Sequence, residues 1–157
     1  MARAIVGQQI SVAAAEAVWR RLEECLGRVD AGRITQAAPE ALRGCGLSRP
    51  KVGYLQDLGL RFIDGSLDPA GWPALDDDAV IAELIAIKGI GRWPADLFLI
   101  FALLRGVVLP LGDVGLQRAM GSLYRGSGKP GESDMITIAA AWWPRPSVAT
   151  WYLRRRL

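Results

Sequence analysis

The stretch from Ile85 to Leu116 constrains the fold more than any other part of the chain. It reads IAIKGIGRWPADLFLIFALLRGVVLPLGDVGL, in which an amphipathic segment ends, Gly89 and Gly91 follow, and an apolar run resumes. Glycine reaches backbone angles closed to other residues, and Pro94 suits a first helical turn because its missing N–H would be unpaired there anyway. The apolar run from Trp93 to Leu104 is too short to cross a bilayer. The stretch therefore predicts a helix, a tight hairpin and a second helix.

Two points in this stretch present polar groups at the start of a helix. The unpaired N–H groups after the hairpin point outward, where an anion such as a phosphate is favoured. Further on, the segment from Leu109 to Asp113 is expected to be extended and then to turn, which places one carboxylate at the start of another helix. The pattern indicates an anion-binding hairpin followed by a single acidic side chain.

The rest of the chain is also helical by pattern, because apolar residues recur at helical spacing and no β alternation of useful length appears. We predict an all-α fold of about eight to ten helices without internal repeats. Ser11 and Ser48 are predicted helix caps, and the run Asp76 to Asp78 fits a capped acidic first turn better than a metal site. The predicted helices cover residues 1–27 with a break at 9–11, 39–43, 49–64, 79–87, 93–104, 116–124, 132–142 and 145–157.

Composition excludes several classes of protein. The 157 residues, 51% of them hydrophobic, suffice for one domain over residues 1–157 with a core, and the net charge of +3 permits nucleic acid without requiring it. The absence of histidine excludes His-based metal sites, Ser-His triads and Cys-His nucleophiles. Cys25 and Cys45, which lack C-x-x-C spacing, indicate buried thiols, a reduced compartment and no structural metal. With no membrane span or signal pattern, a soluble cytoplasmic protein of bacterial type is expected.

The segments GIGRWPAD and LPLGDVGL, together with AIVGQQIS near the N-terminus, resemble the helix-hairpin-helix DNA glycosylases, and most closely the 3-methyladenine DNA glycosylase II branch. The resemblance implies two small helical lobes around a DNA-binding cleft. Further residues normally precede the Q-Q motif in that family, so we expect a chain that is truncated or short at its N-terminus. The superfamily's four-cysteine iron–sulfur cluster cannot be built from two cysteines.

The resemblance also implies the chemistry. Asp113 matches the family's catalytic Asp, whose charge stabilises the sugar cation that forms as the base leaves. Relatives that cut the backbone carry a nucleophilic Lys where this chain has Trp93, so water is the expected attacker. Trp93 and Trp142 match aromatic residues that stack on a cationic alkylated purine. Leu97 and Val114 stand where some relatives have Tyr, which leaves the base preference open.

DNA contacts are implied at two segments besides the hairpin. Gln8 and Gln9 match the family's Q-Q motif at the DNA face, and Leu47 or Ser48 lies in the loop that wedges into the duplex, although Leu47 fits a core position equally well. A solvated helix face is the alternative for each basic residue. A Na⁺ or K⁺ ion on hairpin backbone carbonyls is implied, and no metal bound by side chains. The other candidate phosphate contacts are Lys88, Gly89, Gly91, Arg92, Arg49, Lys51, Arg118 and Arg154 to Arg156.

The function expected from these residues is that of a monofunctional DNA N-glycosylase that removes alkylated purines in base excision repair. Its partner would be double-stranded DNA with damaged bases, bound by a monomer associated with the nucleoid. A glycosylase for uracil, hypoxanthine or ethenoadenine, and a non-catalytic helix-hairpin-helix DNA-binding module, are the alternatives.

Overall fold

The computed structural model of the chain describes residues 1–126 and 128–155. The chain divides into two compact units, Met1–Gly91 and Arg92–Leu157. Within the described residues all regular secondary structure is helical, which confirms the predicted all-α class. The assignment of residues 1–157 to a single domain stays a prediction. No helix in the described ranges is long and apolar enough to span a membrane.

The first unit contains six α-helices, and a 3-10 turn at Trp72–Ala74 precedes the last of them. The helices are α1 (Ala2–Gly7), α2 (Val12–Leu26), α3 (Ala31–Gln36), α4 (Pro39–Gly44), α5 (Arg49–Ile63) and α6 (Asp77–Ile85). The described residues of the second unit form four α-helices, and a 3-10 turn at Ala140–Trp142 follows the third. They are α7 (Arg92–Phe101), α8 (Val114–Tyr124), α9 (Glu132–Ala139) and α10 (Pro146–Arg155).

Local cap signals locate most helix starts correctly. The side chains of Ser11 and Asp76 accept hydrogen bonds from the N–H groups of Ala14 and Ala79, so both predicted caps are confirmed. Ser48 occupies the N-cap position of α5, but its side chain makes no capping hydrogen bond. The prediction that Ser48 caps through its side chain is therefore wrong, and Pro50 in the first turn of α5 is the stronger start signal.

Helix α3 was missed because the segment from residue 28 to 47 is interrupted by glycine and proline. Asp30 caps the helix by accepting a hydrogen bond from the N–H of Arg33 at 2.9 Å. The helix then packs closely on α5, where a Cβ added to Gly59 would lie 2.8 Å from the Thr35 side chain and 3.0 Å from the Ala31 carbonyl oxygen. Tertiary packing therefore stabilises a helix that is too short to be stable by propensity alone.

Each unit has its own buried apolar core. In the first unit Leu22, Leu55 and Leu84 are at most 1% exposed, and each such side chain contributes roughly 2 kcal/mol by leaving water. Trp72 is also buried, and its indole N–H donates to Glu83 at 2.6 Å. In the second unit the core cluster is formed by Leu116, Met120 and Met135, with Leu109, Leu111, Ile138, Trp142 and Leu153 packed around it.

The two cysteines differ in exposure. Cys45 is buried, as predicted, but Cys25 is exposed, so the prediction of two buried thiols is wrong for Cys25. Burial and the neighbouring Cys25 thiol raise the pKa of Cys45. Helical spacing placed Cys25 on the apolar stripe of α2, yet it lies at the solvent edge of that stripe.

Candidate active site

The carboxylate of Asp113 stands at the N-terminus of α8, where the sequence predicted it. Its Oδ1 accepts a hydrogen bond from the N–H of Leu116 at 2.6 Å, so Asp113 caps the helix. Its Oδ2 accepts a hydrogen bond from the indole N–H of Trp93 at 2.7 Å. The positive end of the helix dipole favours a negative charge at this position. The structure thus brings together the residue assigned to catalysis and one assigned to the base pocket.

Two buried side chains fix the extended segment that leads to Asp113. The Gln117 carboxamide donates to the Leu111 carbonyl at 2.7 Å. The Ser147 hydroxyl accepts from the N–H of Val108 at 2.9 Å and donates to the carbonyl of the same residue at 3.2 Å. The segment is therefore held from α8 on one side and from the first turn of α10 on the other, so the carboxylate has a defined position.

Trp93 lies directly against the turn before Asp113. A Cβ added to Gly112 would stand 3.3 Å from the Cβ of Trp93, so a glycine at this position allows the indole to approach the turn. Trp93 is 42% exposed although its N–H is bonded to the carboxylate. An indole in this arrangement can stack on a planar base through its exposed part while its N–H keeps the hydrogen bond.

Arg154, from the last turn of α10, supplies a positive charge next to Asp113. Its Nε lies 3.4 Å from Asp113 Oδ2, and its guanidinium lies 5.7 Å from the centre of the Phe101 ring. The Asp113 side chain is 1% exposed and that of Arg154 is 32% exposed. The carboxylate therefore has hydrogen-bond donors from α7 and its own helix, and a cation from α10.

In the first unit, the hairpin between α6 and α7 turns at Gly89, whose φ is +81°. A Cβ at this position would stand 2.2 Å from the Tyr54 ring, so only glycine fits both the backbone angle and the space. The predicted requirement for glycine at this position is therefore confirmed in physical terms.

Two further side chains hold the hairpin backbone. The Gln8 carboxamide donates to the Gly89 carbonyl at 2.9 Å. Asp57 on α5 accepts a hydrogen bond from the N–H of Lys88 at 3.1 Å, and the Lys88 ammonium lies 3.7 Å from the same carboxylate. The Lys88 side chain is 72% exposed. The hairpin is therefore fixed by α1 and α5 while its lysine stays open to solvent.

Two charged residues that hold the hairpin and the end of α1, Asp57 and Lys51, have pKa values shifted from their ordinary values. Burial alone would raise the pKa of Asp57, but hydrogen bonds from Lys88 and Arg61 and their positive charges outweigh it and lower the pKa. Lys51 donates to the carbonyls of Val6 and Gln8, both at 2.7 Å, and burial lowers the pKa of its ammonium. Lys51 thus ties α5 to the end of α1.

A second carboxylate, Asp96 on α7, is also buried. Burial raises its pKa, and the hydrogen bond and charge of Arg92 act against that rise. The Arg92 Nε lies 2.9 Å from Asp96 Oδ1. Arg92 therefore has a local partner one turn further along its own helix, although its side chain is 65% exposed.

A comparison of the chain with known protein families agrees with the assignment suggested by the hairpin and Asp113 motifs. Residues 2–145 match the family described as HhH-GPD superfamily base excision DNA repair protein. The chain belongs to this superfamily. The resemblance inferred from the hairpin and Asp113 motifs is therefore confirmed.

Individual HhH-GPD relatives carry 3-methyladenine glycosylase names. The putative DNA-3-methyladenine glycosylase YfjP of Bacillus subtilis is 29% identical over 165 residues, which is 100% of this chain and 58% of that protein. The crystal structure of the Bacillus halodurans DNA-3-methyladenine glycosidase has a TM-score of 0.86 at 37% identity, covering 98% of this chain and 72% of that one. The Schizosaccharomyces pombe 3-methyladenine DNA glycosylase in complex with abasic DNA has a TM-score of 0.87 at 28% identity, covering 98% and 77%.

The other residues assigned to the base pocket occupy different environments. Trp142 packs against the core cluster of the second unit, and its ring centre lies 6.2 Å from that of Tyr124. Val114, next to Asp113, is 52% exposed, whereas Leu97 on α7 is half-buried. Of the four residues assigned to the base pocket, Trp93 is the one whose side chain bonds to Asp113 in the described structure. The pocket roles of Trp142, Val114 and Leu97 stay predictions.

The residues assigned to DNA contacts also divide into distinct groups. Leu47 is 5% exposed and belongs to the core, which was the alternative to a role as the wedge. Ser48 is exposed and is therefore the remaining candidate for the residue that wedges into the duplex. Gln8 and Lys51 bond to backbone within the first unit, which the sequence did not reveal. Arg156 lies outside the described residues. The other candidates that are exposed are Gln9, Arg49, Lys88, Gly89, Gly91, Arg92, Arg118 and Arg155.

Several residues that build the site could not be recognised from the sequence. Arg154 was assigned to phosphate rather than to Asp113, and Ser147, Gln117, Tyr54 and Asp57 were not assigned at all. Each of them either contacts a residue that is far away in the sequence or is of a residue type that has many different roles in proteins. A small hydroxyl residue at the start of a helix, such as Ser147 in the first turn of α10, is the one signal that could have identified a member of this group, because such side chains often bond to nearby backbone.

Replacing Asp57 by Asn is expected to destabilise the first unit in a pH-dependent way. The folded-state pKa of Asp57 lies below its usual value, so its contribution is present above the unfolded pKa and is lost as the pH falls through the folded pKa. At pH 7 the variant should lose about 1–2 kcal/mol of unfolding free energy. Urea unfolding of both proteins at pH 7 and at about pH 3 measures the difference.

Asp68→Asn is the matched control for this experiment, since the exposed Asp68 accepts one local hydrogen bond, from the N–H of Ala70, that Asn can also accept. Its stability should follow that of the wild type at both pH values. A loss in Asp57→Asn that is equal at the two pH values would show that the ionised carboxylate is not the source of the stabilisation.

Proposed function

We propose that the chain is a monofunctional DNA N-glycosylase that removes alkylated purines of the 3-methyladenine and 7-methylguanine type by hydrolysis in base excision repair. The observation that carries the proposal is the hydrogen bond between the Trp93 indole and the Asp113 carboxylate. This contact supports the proposal because an exposed indole can stack on a base while the carboxylate beside it would stabilise the sugar as the base departs.

The reaction needs few groups from the protein. As the bond between C1′ and the base nitrogen breaks, the base leaves with the electron pair and positive charge develops on the sugar. The Asp113 carboxylate stabilises that charge, a water oxygen attacks C1′, and the carboxylate accepts the proton that the water gives up. A purine alkylated at N3 or N7 carries a positive charge, so it departs as a neutral base.

Trp93 also determines which reaction is not expected. An amine at this position would form a Schiff base with the sugar and lead to strand cleavage, whereas an indole nitrogen has no nucleophilic lone pair. Lys88 is the lysine of the hairpin, and its ammonium lies 3.7 Å from the Asp57 carboxylate, which holds it as an ion pair. Hydrolysis without a covalent enzyme–DNA intermediate follows.

DNA binding is part of the same proposal. The Gly89 hairpin presents backbone N–H groups at the start of α7, and the exposed Lys88 adds positive charge. A Na⁺ or K⁺ ion would bind through hairpin carbonyls; those of Ile87 and Gly89 already accept one hydrogen bond each and keep a second lone pair. We propose that the protein acts as a monomer on cytoplasmic, nucleoid-associated DNA and needs no iron–sulfur cluster.

No group of three or more His, Cys, Asp or Glu side chains in the described residues could hold a metal ion. A side-chain metal site therefore has no support in residues 1–126 and 128–155. We propose that the enzyme works without a metal bound by side chains.

The proposal is tested by incubating the protein with duplexes that each carry one lesion. The lesions are 3-methyladenine, 7-methylguanine, 1,N6-ethenoadenine, hypoxanthine and uracil, and the readout is the number of abasic sites. We expect release of the two alkylated purines and no covalent adduct after borohydride treatment. Release of a neutral base alone would favour the alternative substrates that Leu97 and Val114 leave open. Duplex binding without any release would favour the non-catalytic module, and a borohydride adduct would contradict the role of Trp93.

A further inference from the structure

The guanidinium of Arg154 is a charge that the proposed reaction does not require. Asp113 supplies the negative charge, and Trp93 together with the Leu116 N–H already fixes both of its oxygens. Arg154 nevertheless places its Nε 3.4 Å from Asp113 Oδ2, the oxygen that also bonds to Trp93. A base stacked on Trp93 would therefore lie close to a positive charge.

We propose that Arg154 is a specificity-determining residue that reduces the preference of the Asp113 site for cationic bases over neutral ones. The inference rests on the proposed function. A cationic purine nucleotide carries one more positive charge than a neutral lesion in the bound state and also in the transition state. Repulsion by Arg154 therefore acts on the cationic substrate throughout, whereas the charge that develops on the sugar is common to both substrates.

The position of Arg154 supports an effect of measurable size. Its side chain is only 32% exposed, and it faces a carboxylate that is 1% exposed, so water screens the charges only in part. The centre of the Phe101 ring lies 5.7 Å from its guanidinium, so an apolar surface also borders the charge. Arg155, the next residue, instead stacks over Trp151 at 4.5 Å, so neighbouring arginines of α10 have different environments.

The experiment compares kcat/KM for a duplex with 7-methylguanine and for a duplex with 1,N6-ethenoadenine. The ratio of the two should rise about tenfold in Arg154→Gln, which corresponds to about 1.4 kcal/mol. Arg154→Lys, which keeps the charge, should leave the ratio close to that of the wild type. Arg155→Gln removes the same charge from the same helix away from Asp113. Any effect it has on binding of the DNA backbone should be equal for the two duplexes, so the ratio should stay that of the wild type.

Arg154→Met provides a second neutral variant with a long side chain in case Arg154→Gln unfolds, and thermal melts of all variants show whether they are folded. If the wild type releases only 7-methylguanine, kcat/KM for that lesion is compared with the affinity for a duplex with an abasic site. In Arg154→Gln kcat/KM should then rise relative to this affinity. An equal change with both substrates, or none, would overturn the inference, because Arg154 would then support the fold or leave Asp113 when DNA binds. A wild type that releases neither lesion would contradict the proposed function as well.

Discussion

Replacing Asp113 by Asn is expected to lower base release by about 10³-fold, because the proposed site loses the negative charge that would stabilise the sugar cation. The neutral carboxamide can still cap α8 through its oxygen, so the helix start should persist. Its NH₂ group would then face the indole N–H of Trp93, and two donors cannot bond to each other. The measurements are single-turnover release of 7-methylguanine and affinity for a duplex with an abasic site.

Asp76→Asn is the matched control for Asp113→Asn. Asp76 is also an N-cap aspartate, whose side chain accepts a hydrogen bond from the Ala79 N–H at 2.8 Å, and it lies in the first unit. The same chemical change there should leave both release and binding close to the wild type. Wild-type release by folded Asp113→Asn would show that the carboxylate is not catalytic, and a parallel loss of binding and release would show that it acts on the fold.

Those parts of the site that depend on local chemistry could be predicted from the sequence. The turn at Gly89 follows from the backbone freedom of glycine, and the helix start at Asp113 follows from the preference of a carboxylate for unpaired N–H groups. Both signals act over a few residues, so no knowledge of the tertiary structure is needed. The order of hairpin and Asp turn then identified the family.

The contacts that support these points could not be predicted in the same way. Gln8 bonds to Gly89 across 81 positions, and Ser147 bonds to Val108 across 39. No periodicity or spacing relates such pairs, and Gln or Ser occurs in many surface positions. Arg154 illustrates the same difficulty, because a basic cluster at the end of a helix is typical of a solvated face.

The spacing of apolar residues in the sequence also does not predict how deeply a given side chain is buried. Leu47, in the loop before α5, and Cys25, on the apolar stripe of α2, are both apolar side chains, yet Leu47 is buried and Cys25 is exposed. A helical stripe shows which side of a helix faces its neighbours, but packing decides how far that side is covered. For this reason the wedge residue of the proposed DNA interface could not be chosen between Leu47 and Ser48 from the sequence.

Replacing Gly89 by Ala is expected to disrupt the hairpin. The position has a φ of +81°, which costs an L-residue about 1–2 kcal/mol, and the new Cβ would stand 2.2 Å from the Tyr54 ring. Overpacking of this kind adds about 1–3 kcal/mol, so the first unit should lose several kcal/mol or the hairpin should shift. If the hairpin binds a phosphate as proposed, its displacement moves the N–H groups away from that phosphate, and affinity for a duplex with an abasic site should fall by about tenfold or more.

The two causes can be separated with Tyr54→Ala. In that background the clash is gone and only the backbone strain remains, so Gly89→Ala should cost less than it does in the wild type, and the difference is the coupling energy between the two residues. Gly53→Ala is the control, because a Cβ at this exposed position in α5 meets no atom within 4 Å. It should bind DNA like the wild type and be slightly more stable, since alanine favours a helix over glycine. If Gly89→Ala matches Gly53→Ala in stability and affinity, the hairpin does not have the geometry that the Tyr54 contact requires, and the phosphate-binding role assigned to it loses its structural basis.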